Sequence, residues 1–540
     1  AAKEVLDIRF PAMGVTGRPK WPTIGAMKRL KVIATRLLAI TALLFAAACA
    51  TAAGNAPYAA LSNPQAEDVF TIGLDSISEK YIDPHTVGEL AMDGLKGFTT
   101  IDPNLTVSSK GGQVILASAD GTIAAYPRPA NDNVKGWAAL MVKASAAGRL
   151  ASVEMGAADE EKLYQAVFDA ILGNLDRFSR YAGAEAAKKN RDRRDGFGGI
   201  GIRFRVRDGV VTITFIMPET PAARAGLKKG DVITAVNGKV LKALSAAAAG
   251  KRLRGPVNSR VSLSVLRKGA SAPLSFNFKR GHIVPPTVTY AFGNGVGTLK
   301  ITSFNRQTAR SAARMLKKAV TDERRALKGI IIDLRGNPGG LLKQSIKVAD
   351  LFLTQGRIID TRGRNPDSVQ HYDAGGRDMA GGRPVVILMD GKSASASEIV
   401  AAALQDRGRA IIIGTSSFGK GTIQTVIRLP NNGEIALTWS RMVTPSGYVL
   451  HGLGVPPTVC TSGLEIQHPE GMNKMFKRRL LSVANLEAWR NSRFGDKAGR
   501  RKLRAACPAE RRRTSFDAVL AKRLIADKTL YARAIRADQE

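Results

Sequence analysis

Hydrophobic and polar positions change period along the chain, and each change predicts a different kind of structure. Over residues 53–195 apolar residues recur at helical spacing, as in "AEDVFTIGLDSISEKYI" and "DEEKLYQAVFDAILGNLDRF". Between those runs, "GQVILASADGTIAAYPRP" carries two short apolar stretches around Asp-Gly, which predicts a hairpin. From Phe197 the period drops to two. "FGGIGIRFRVRDGVVTITFI" predicts a hairpin over 202–215. "PAARAGLKKGDVITAVNG" then gives a short helix, a turn, a strand and an Asn-Gly turn, and "RVSLSVLRKG" one more strand. From about residue 287, buried strands ("GIIID", "PVVILMD", "AIIIG") alternate with helices ("TARSAARMLKKAVTDE", "LLKQSIKVADLFL", "SASEIVAAALQDRG"). The pattern predicts a multidomain chain: a mainly helical region over 53–195, a small strand-rich domain over 196–282, an α/β domain with a central sheet over 283–459, and a tail over 460–540.

Charge changes the picture at the two ends. The chain has 540 residues, with 81 Lys and Arg against 45 Asp and Glu, a formal net charge of +36. The excess is crowded into "KKNRDRRD", "KRLRGPVNSR" and the tail. None of these is interleaved with aromatics or set in a nucleic-acid module, so nucleic acid is not the expected partner. The tail reads either as solvated helices with charged faces or as a contact for anionic lipid. From Met27, "MKRLKVIATRLLAITALLFAAACATAAG" has the basic stretch, apolar run and small residues of a secretory signal over 27–52. Residues 1–26 are expected to be a non-native extension. Cleavage near Ala52 is expected, with lipid anchoring at Cys49 as the alternative. In an exported chain Cys460 and Cys507 are expected to form a disulfide, two free thiols being the plain alternative. No Cys/His spacing suggests a metal, and no cofactor is expected.

Candidate chemistry lies in the α/β region. "GTSSFGKGT", residues 414–422, nearly matches a phosphate-binding loop. Such a loop needs a helix after its lysine. "GTIQTVIRLPNNGEIALTWSRM" alternates like a strand and turns at Asn-Asn-Gly, and Gly421 carries no hydroxyl, so phosphate binding is excluded. Lys420 needs another role. Upstream, Ser395 stands three residues before Glu398, which reads as a capping box for the next helix. The sharper reading is a nucleophile at a positive helix end, beside an amide free to bind an oxyanion. A serine nucleophile needs a base, and none of His85, His282, His371, His451 and His468 lies in a triad-like motif. A lysine serves instead if burial lowers its pKa. Lys420 is the candidate, with Gln424 placed to orient its amine.

These residues sit in a stretch that resembles the carboxyl-terminal processing, or tail-specific, serine proteases. The resemblance rests on "GKSASASEIVAAALQDRGRAIIIGTSSFGKGTIQ", "GIIIDLRGNPGGLL" and "VTPSGYVLHGLGVPPTV". "FGGIGIRF" with "TPAARAGLKKGDVITAVNG" is similar to the PDZ domain that such enzymes carry. Together these motifs cover roughly 197–459 in the expected order. The resemblance implies a ClpP/crotonase-like protease domain and a Ser–Lys dyad completed by Gln, placed on Ser395, Lys420 and Gln424. Within "SASAS" it selects Ser395 over Ser393 and Ser397. It implies an oxyanion hole from the Ala396 amide and one from "NPGG", with Gly339 favoured over Gly340. Gly198, Gly199, Ile200 and Gly201 would cap the terminal carboxylate of a peptide added to a strand edge.

The implied activity is endoproteolysis of exported proteins near their carboxyl termini in the periplasm or cell envelope, with an activating partner or oligomer possible in principle. The rival is an idle PDZ-containing scaffold that binds peptides without cutting them. Two departures stand out. "NLDRFSRYAG" replaces the Asp-Pro expected before the PDZ domain, and an insertion near 100–155 lengthens the helical region.

Overall fold

The computed structural model describes residues 64–464, 483–511 and 515–539. The expected signal segment, Cys49 and His468 lie outside the described residues. The helical period of the first region closes a bundle from α1 (Pro64–Lys80), α2 (Val87–Lys96), α3 (Val134–Ala151), α4 (Val153–Ala157) and α5 (Glu160–Leu175). Phe70, Leu74, Trp137, Met141, Val167 and Phe168 meet in its core. Full burial of such side chains contributes roughly 1.5–3 kcal/mol each. The insertion is a three-stranded antiparallel sheet, β1 (Thr106–Lys110), β2 (Gln113–Ser118) and β3 (Gly121–Pro127). It joins the same core through Val114 and Leu116.

β4 (Arg180–Ala182) and α6 (Ala184–Asp195) lead out of the bundle. α6 is polar nearly all round, because it bridges regions instead of covering a core. Arg191 and Arg194 each reach the buried Glu434 at 3.0 Å, Asp195 meets Arg306 at 2.5 Å, and Asp192 meets Arg254 at 2.8 Å.

The period-two region is a sheet of order β11-β10-β8-β7-β6. It comprises β6 (Ile202–Arg207), β7 (Val210–Ile216), β8 (Val232–Val236), β10 (Arg260–Leu266) and β11 (Leu274–Lys279), with the short β9 (Lys239–Val240) on β8. Two helices, α7 (Pro221–Arg224) and α8 (Ala246–Leu253), cover it. β5 (Phe197–Gly199) pairs separately with β12 (Gly281–Ile283). Among the described residues β6 pairs only with β7, which leaves its other edge open.

The α/β region holds the central sheet, of order β13-β14-β15-β18-β19-β22. β13 (Val288–Gly293) is antiparallel to β14 (Val296–Ile301). β14, β15 (Gly329–Asp333), β18 (Val385–Met389), β19 (Ile411–Gly414) and β22 (Val459–Cys460) run parallel. Every residue of β15, β18 and β19 is buried, which is why they read as unbroken apolar runs. α9 (Thr308–Asp322), α10 (Leu342–Asp350) and α11 (Ala396–Asp406) cover one face. A second sheet of order β17-β16-β21-β20 flanks it, from β16 (Arg357–Arg362), β17 (Gln370–Asp373), β20 (Thr422–Arg428) and β21 (Glu434–Val443), with β4 on β21.

The basic tail is more than a solvated set of helices. It contains α12 (Val483–Arg490), α13 (Lys497–Ala505), α14 (Ser515–Ala526) and α15 (Lys528–Gln539). Leu520, Leu524 and Ile525 of α14 pack on Ile331, Val386, Ile411 and Ile413, closing the other face of the central sheet. Cys460 and Cys507 are joined in a disulfide, their Cα atoms 5.9 Å apart.

Candidate active site

Three neighbouring parallel strands end on the same side, and their loops converge, the usual place for a site in an α/β sheet. β15 leads into 334–341, β18 into 390–395, and β19 into 415–421. Side chains lock these loops together. The Ser393 hydroxyl donates to the Leu334 carbonyl at 2.9 Å, and the Ser397 hydroxyl to the Asn337 carbonyl at 3.0 Å. Ser393 and Ser397 are both fully buried. They are the pins of the "SASAS" loop, whereas Ser395 between them lines an open cleft. Ser395 has φ 56° and ψ −115°, a conformation that an L-residue adopts only under strain.

Glu398, fully buried, joins the serine loop to the lysine loop. Its Oε2 accepts from the Ser395 amide at 2.6 Å and the Lys420 amide at 3.0 Å. Its Oε1 accepts from the Gly419 amide at 2.7 Å and from the Ser417 hydroxyl. Burial pushes its carboxyl above the ordinary value, opposed by those donors. All four partners donate, so the geometry is that of the ionised group. The glutamate that caps α11 in sequence therefore also holds the lysine loop.

Lys420 is no exposed loop lysine. Its Nζ lies 5.1 Å from the centre of the Phe178 ring. Burial first, then the Arg180 charge, brings its pKa down to about 8, against the opposing pull of Asp176 and Glu398. Gly421, where a phosphate loop would have a hydroxyl, lies against the chain at His451. A Cβ there would fall 2.0 Å from the His451 nitrogen. The Gln424 amide donates to the hydroxyls of Thr422 at 3.0 Å and Thr438 at 3.2 Å. Thr438 donates in turn to Asp176 at 3.2 Å. Asp176 and Phe178 belong to "NLDRFSRYAG", so the segment that departs from the expected pattern forms one wall around the amine.

Ser395, Ala396, Lys420, Gln424, Gly339 and Gly340 all line one cleft of about 980 Å³. None of the histidines among the described residues lines it. His451 packs edge-on to Phe178, and burial with the Arg177 and Arg441 charges pushes its pKa down to about 4. Gly339 has φ 100°, and a Cβ there would come within 2.9 Å of the Ser395 Cβ and 3.0 Å of the Ala396 nitrogen. Its amide, however, donates to Asn337 Oδ1 at 2.9 Å, so the expected oxyanion donor is already engaged. The amide of Gly340 makes no hydrogen bond to another described residue, since the bridge to Phe304 uses the Gly339 carbonyl and the Leu341 amide.

The glycine-rich turn sits where β5 passes into the edge strand β6. A Cβ on Gly198 would meet the Gly255 carbonyl oxygen at 2.0 Å, and one on Gly201 (φ 88°) would meet Thr220 at 2.3 Å. Gly199 pairs with Gly281, and the Ile200 carbonyl accepts from the Ala222 amide at 2.9 Å.

Motif reading misses a last set of residues, which come from the tail. Arg504 of α13 donates to the Leu453 carbonyl and, at 3.1 Å, to the Ser417 carbonyl. Arg500 grips the carbonyls of Val449 at 2.8 Å and His451 at 2.7 Å, and the Trp489 indole donates to the Gly454 carbonyl at 3.2 Å. Their only sequence signal is an apolar-basic alternation that looks like surface.

The sequence pattern of peptidase family S41 matches residues 295–461, and that of a PDZ domain residues 198–277. A carboxy-terminal-processing protease of Bartonella bacilliformis is 40% identical over 306 residues, covering 56% of this chain and 70% of the relative. Carboxy-terminal processing protease CtpB of Bacillus subtilis is 34% identical over 308 residues, covering 56% of this chain and 63% of the relative. A solved photosystem II D1 C-terminal processing protease is 26% identical over 58% of this chain and 87% of its own, with a TM-score of 0.32. With its PDZ and protease patterns in the same order, and identity to the Bartonella enzyme over more than two thirds of that enzyme's length, this chain belongs to the carboxy-terminal-processing proteases of peptidase family S41.

Proposed function

We propose that the chain is an exported serine endopeptidase that cuts protein substrates near their carboxyl termini. Ser395 is the nucleophile, Lys420 the general base and Gln424 the residue that orients the amine. The observation that carries this reading is the pairing of a serine and a lysine on loops held by one buried carboxylate, with the lysine pKa brought to about 8. Neutral Lys420 accepts the Ser395 hydroxyl proton as Oγ attacks the scissile carbonyl. The tetrahedral oxyanion is held by the Ala396 amide at the start of α11 and by one amide of the "NPGG" turn. That second donor is assigned to Gly340, because Asn337 already takes the Gly339 amide. Lysine then protonates the leaving amine, an acyl-enzyme forms on Ser395, and water, deprotonated by Lys420, hydrolyses it.

The turn formed by Gly198, Gly199, Ile200 and Gly201 is assigned the capture of a substrate's terminal carboxylate, with the tail added to β6. The disulfide between Cys460 and Cys507 suits the periplasm or another oxidising compartment of the cell envelope. No metal or cofactor enters the scheme.

The test is cleavage of an unfolded protein with an apolar carboxyl tail by the chain from residue 53, beside Ser395→Ala and Lys420→Ala. Cutting by the parent alone supports the dyad. Equal cutting by all three removes it. Tail binding without cutting by any of the three, also in the presence of envelope extract, points to a scaffold.

A further inference from the structure

The open edge of β6 has a chemistry of its own. Between Gly198 and Ile283 there are sixteen Lys and Arg against three Asp and Glu. Three of the arginines, Arg203, Arg205 and Arg207, alternate along β6 and are all exposed, while Ile202, Phe204 and Val206 turn inward and are partly buried. Alternation on a strand puts the arginines on one face at a repeat of two residues. Their ionic partners are few. Among the described residues Arg207 meets only Asp208, at 3.6 Å and with both side chains more than four-fifths exposed. Arg203 lies over the Phe215 ring at 5.5 Å, and Arg205 has no ion pair among the described residues. Beside them, Arg205, Arg207 and Lys229 line a hollow of about 520 Å³ with Thr212 and Thr214, and no acidic residue is in its lining. On the inward side Ile202, Phe204 and Val206 pack against the domain core, to which α8 contributes Ala249 and Leu253.

We infer that this edge selects substrate tails with acidic side chains at the second and fourth positions from the carboxyl terminus. The inference rests on the proposal that the PDZ domain binds tails by strand addition. A peptide added antiparallel to β6, with its carboxylate at the glycine turn, alternates in register with that strand. Its last side chain projects to the inward side of β6, the side of Ile202, Phe204 and Val206. The residue before it, and every second residue before that, then projects onto the arginine face. Cross-strand side chains of a pair stand about 4.5–5.5 Å apart, and opposite charges there are favourable. Charge repeats of period two along the peptide therefore match charge repeats of period two along β6. A tail with lysines at those positions would meet like charges. Arginines on an open edge also discourage pairing with other chains, and the arrangement thus filters what is added to the edge.

The experiment uses the chain from residue 53 carrying Ser395→Ala, so that bound peptide is not cut. Fluorescent ten-residue peptides share an apolar last residue and a free carboxylate. One has Glu at the second and fourth positions from the end. A second has the same two Glu at the third and fifth, and others have Gln or Lys at the second and fourth. Anisotropy titrations at physiological ionic strength are expected to show the in-register acidic peptide binding on the order of five- to ten-fold tighter than the out-of-register one. The double substitution Arg203→Glu and Arg205→Glu is expected to make the lysine peptide the tighter ligand. Both sites are exposed, and Arg205→Gln serves as a milder variant that reduces the preference without reversing it. Equal affinity for the two acidic registers, or a preference unmoved by the arginine substitutions, overturns the inference while tail binding stands. If no peptide binds, with free or amidated terminus, tail capture by this domain fails and the inference falls with it.

Discussion

Ser395 and Lys420 are tied through one atom: both of their amides donate to Oε2 of Glu398, at 2.6 and 3.0 Å. The proposed nucleophile and the proposed base therefore cannot move apart without breaking a bond to a buried charge. Glu398→Gln keeps the size of the side chain but turns an NH2 towards amides that need an acceptor. It is expected to lower kcat by about two orders of magnitude, the scale of a 1 Å misplacement, with little change in KM. The Glu398 charge also raises the Lys420 pKa. Removing it should move the acid limb of the kcat/KM profile to lower pH, a shift that loosened packing alone does not produce. An unmoved limb in the residual activity would refute the electrostatic part.

Lys420 supplies a second prediction, on stability as well as rate. In the proposed mechanism activity needs the neutral amine, so kcat/KM should fall as pH drops through about 8. In the unfolded chain the amine titrates near 10.5. Between about 8 and 10.5 the unfolded state holds one more proton than the folded state, so folding stability rises with pH across that window. Below it both states are protonated, and the folded one bears a poorly solvated charge. Lys420→Met should be inactive and, at pH 7, more stable than the parent by on the order of 3 kcal/mol. Urea titrations should show that difference shrinking as pH is raised from 8 to 10.5.

The parallel strands are legible because they are buried on both faces: "GIIID", "VVILM" and "IIIG" leave no polar position to mislead. Lys420 stands out because the strand after its loop rules out a phosphate site, whereas Ser395 alone reads as a helix cap and is singled out within "SASAS" only by the family resemblance. Glu398 is only half legible. Ser-x-x-Glu reports a local cap, whereas Gly419 and Lys420 reach it from another strand end across more than twenty residues of chain. Gly339 and Gly340 cannot be separated by pattern, because the difference lies in where one amide points. β11 and β13 also escape: "LSFNFK" and "VTYAFG" are short, half-exposed edge strands with few buried positions.

The backbone of Ser395 can be tested apart from its hydroxyl. At φ 56° a Cβ is disfavoured and glycine is not. Ser395→Gly and Ser395→Ala should both be inactive. The strain at this residue should nevertheless make their stabilities differ, with Gly the more stable by about 1 kcal/mol. Thermal melts of the two inactive proteins measure it directly. Equal or reversed midpoints would mean that the turn at the nucleophile is relaxed in solution.

The tail lies beyond residue 461, where the S41 pattern ends, yet it holds the lysine loop. Arg504 bonds the carbonyls of Ser417 and Leu453, and three residues on Cys507 is anchored to Cys460 at the end of β22. The bridge closes a separation of 47 residues, which corresponds to about 4 kcal/mol of stabilisation in the chain-entropy picture. Cys507→Ser should lower the denaturation midpoint accordingly, and a thiol reductant should do the same to the parent but not to the variant. Arg504→Ala is expected to leave the disulfide intact and to act on the loop instead. It leaves two buried carbonyls without donors and frees Ser417, whose hydroxyl donates to Glu398. The expected result is a fall in kcat of about ten-fold or more with KM nearly unchanged. Arg504→Lys should restore only part of it, because an ammonium offers no planar fork to span the two carbonyls. Full activity in Arg504→Ala would show that the disulfide and Trp489 hold the loop without it.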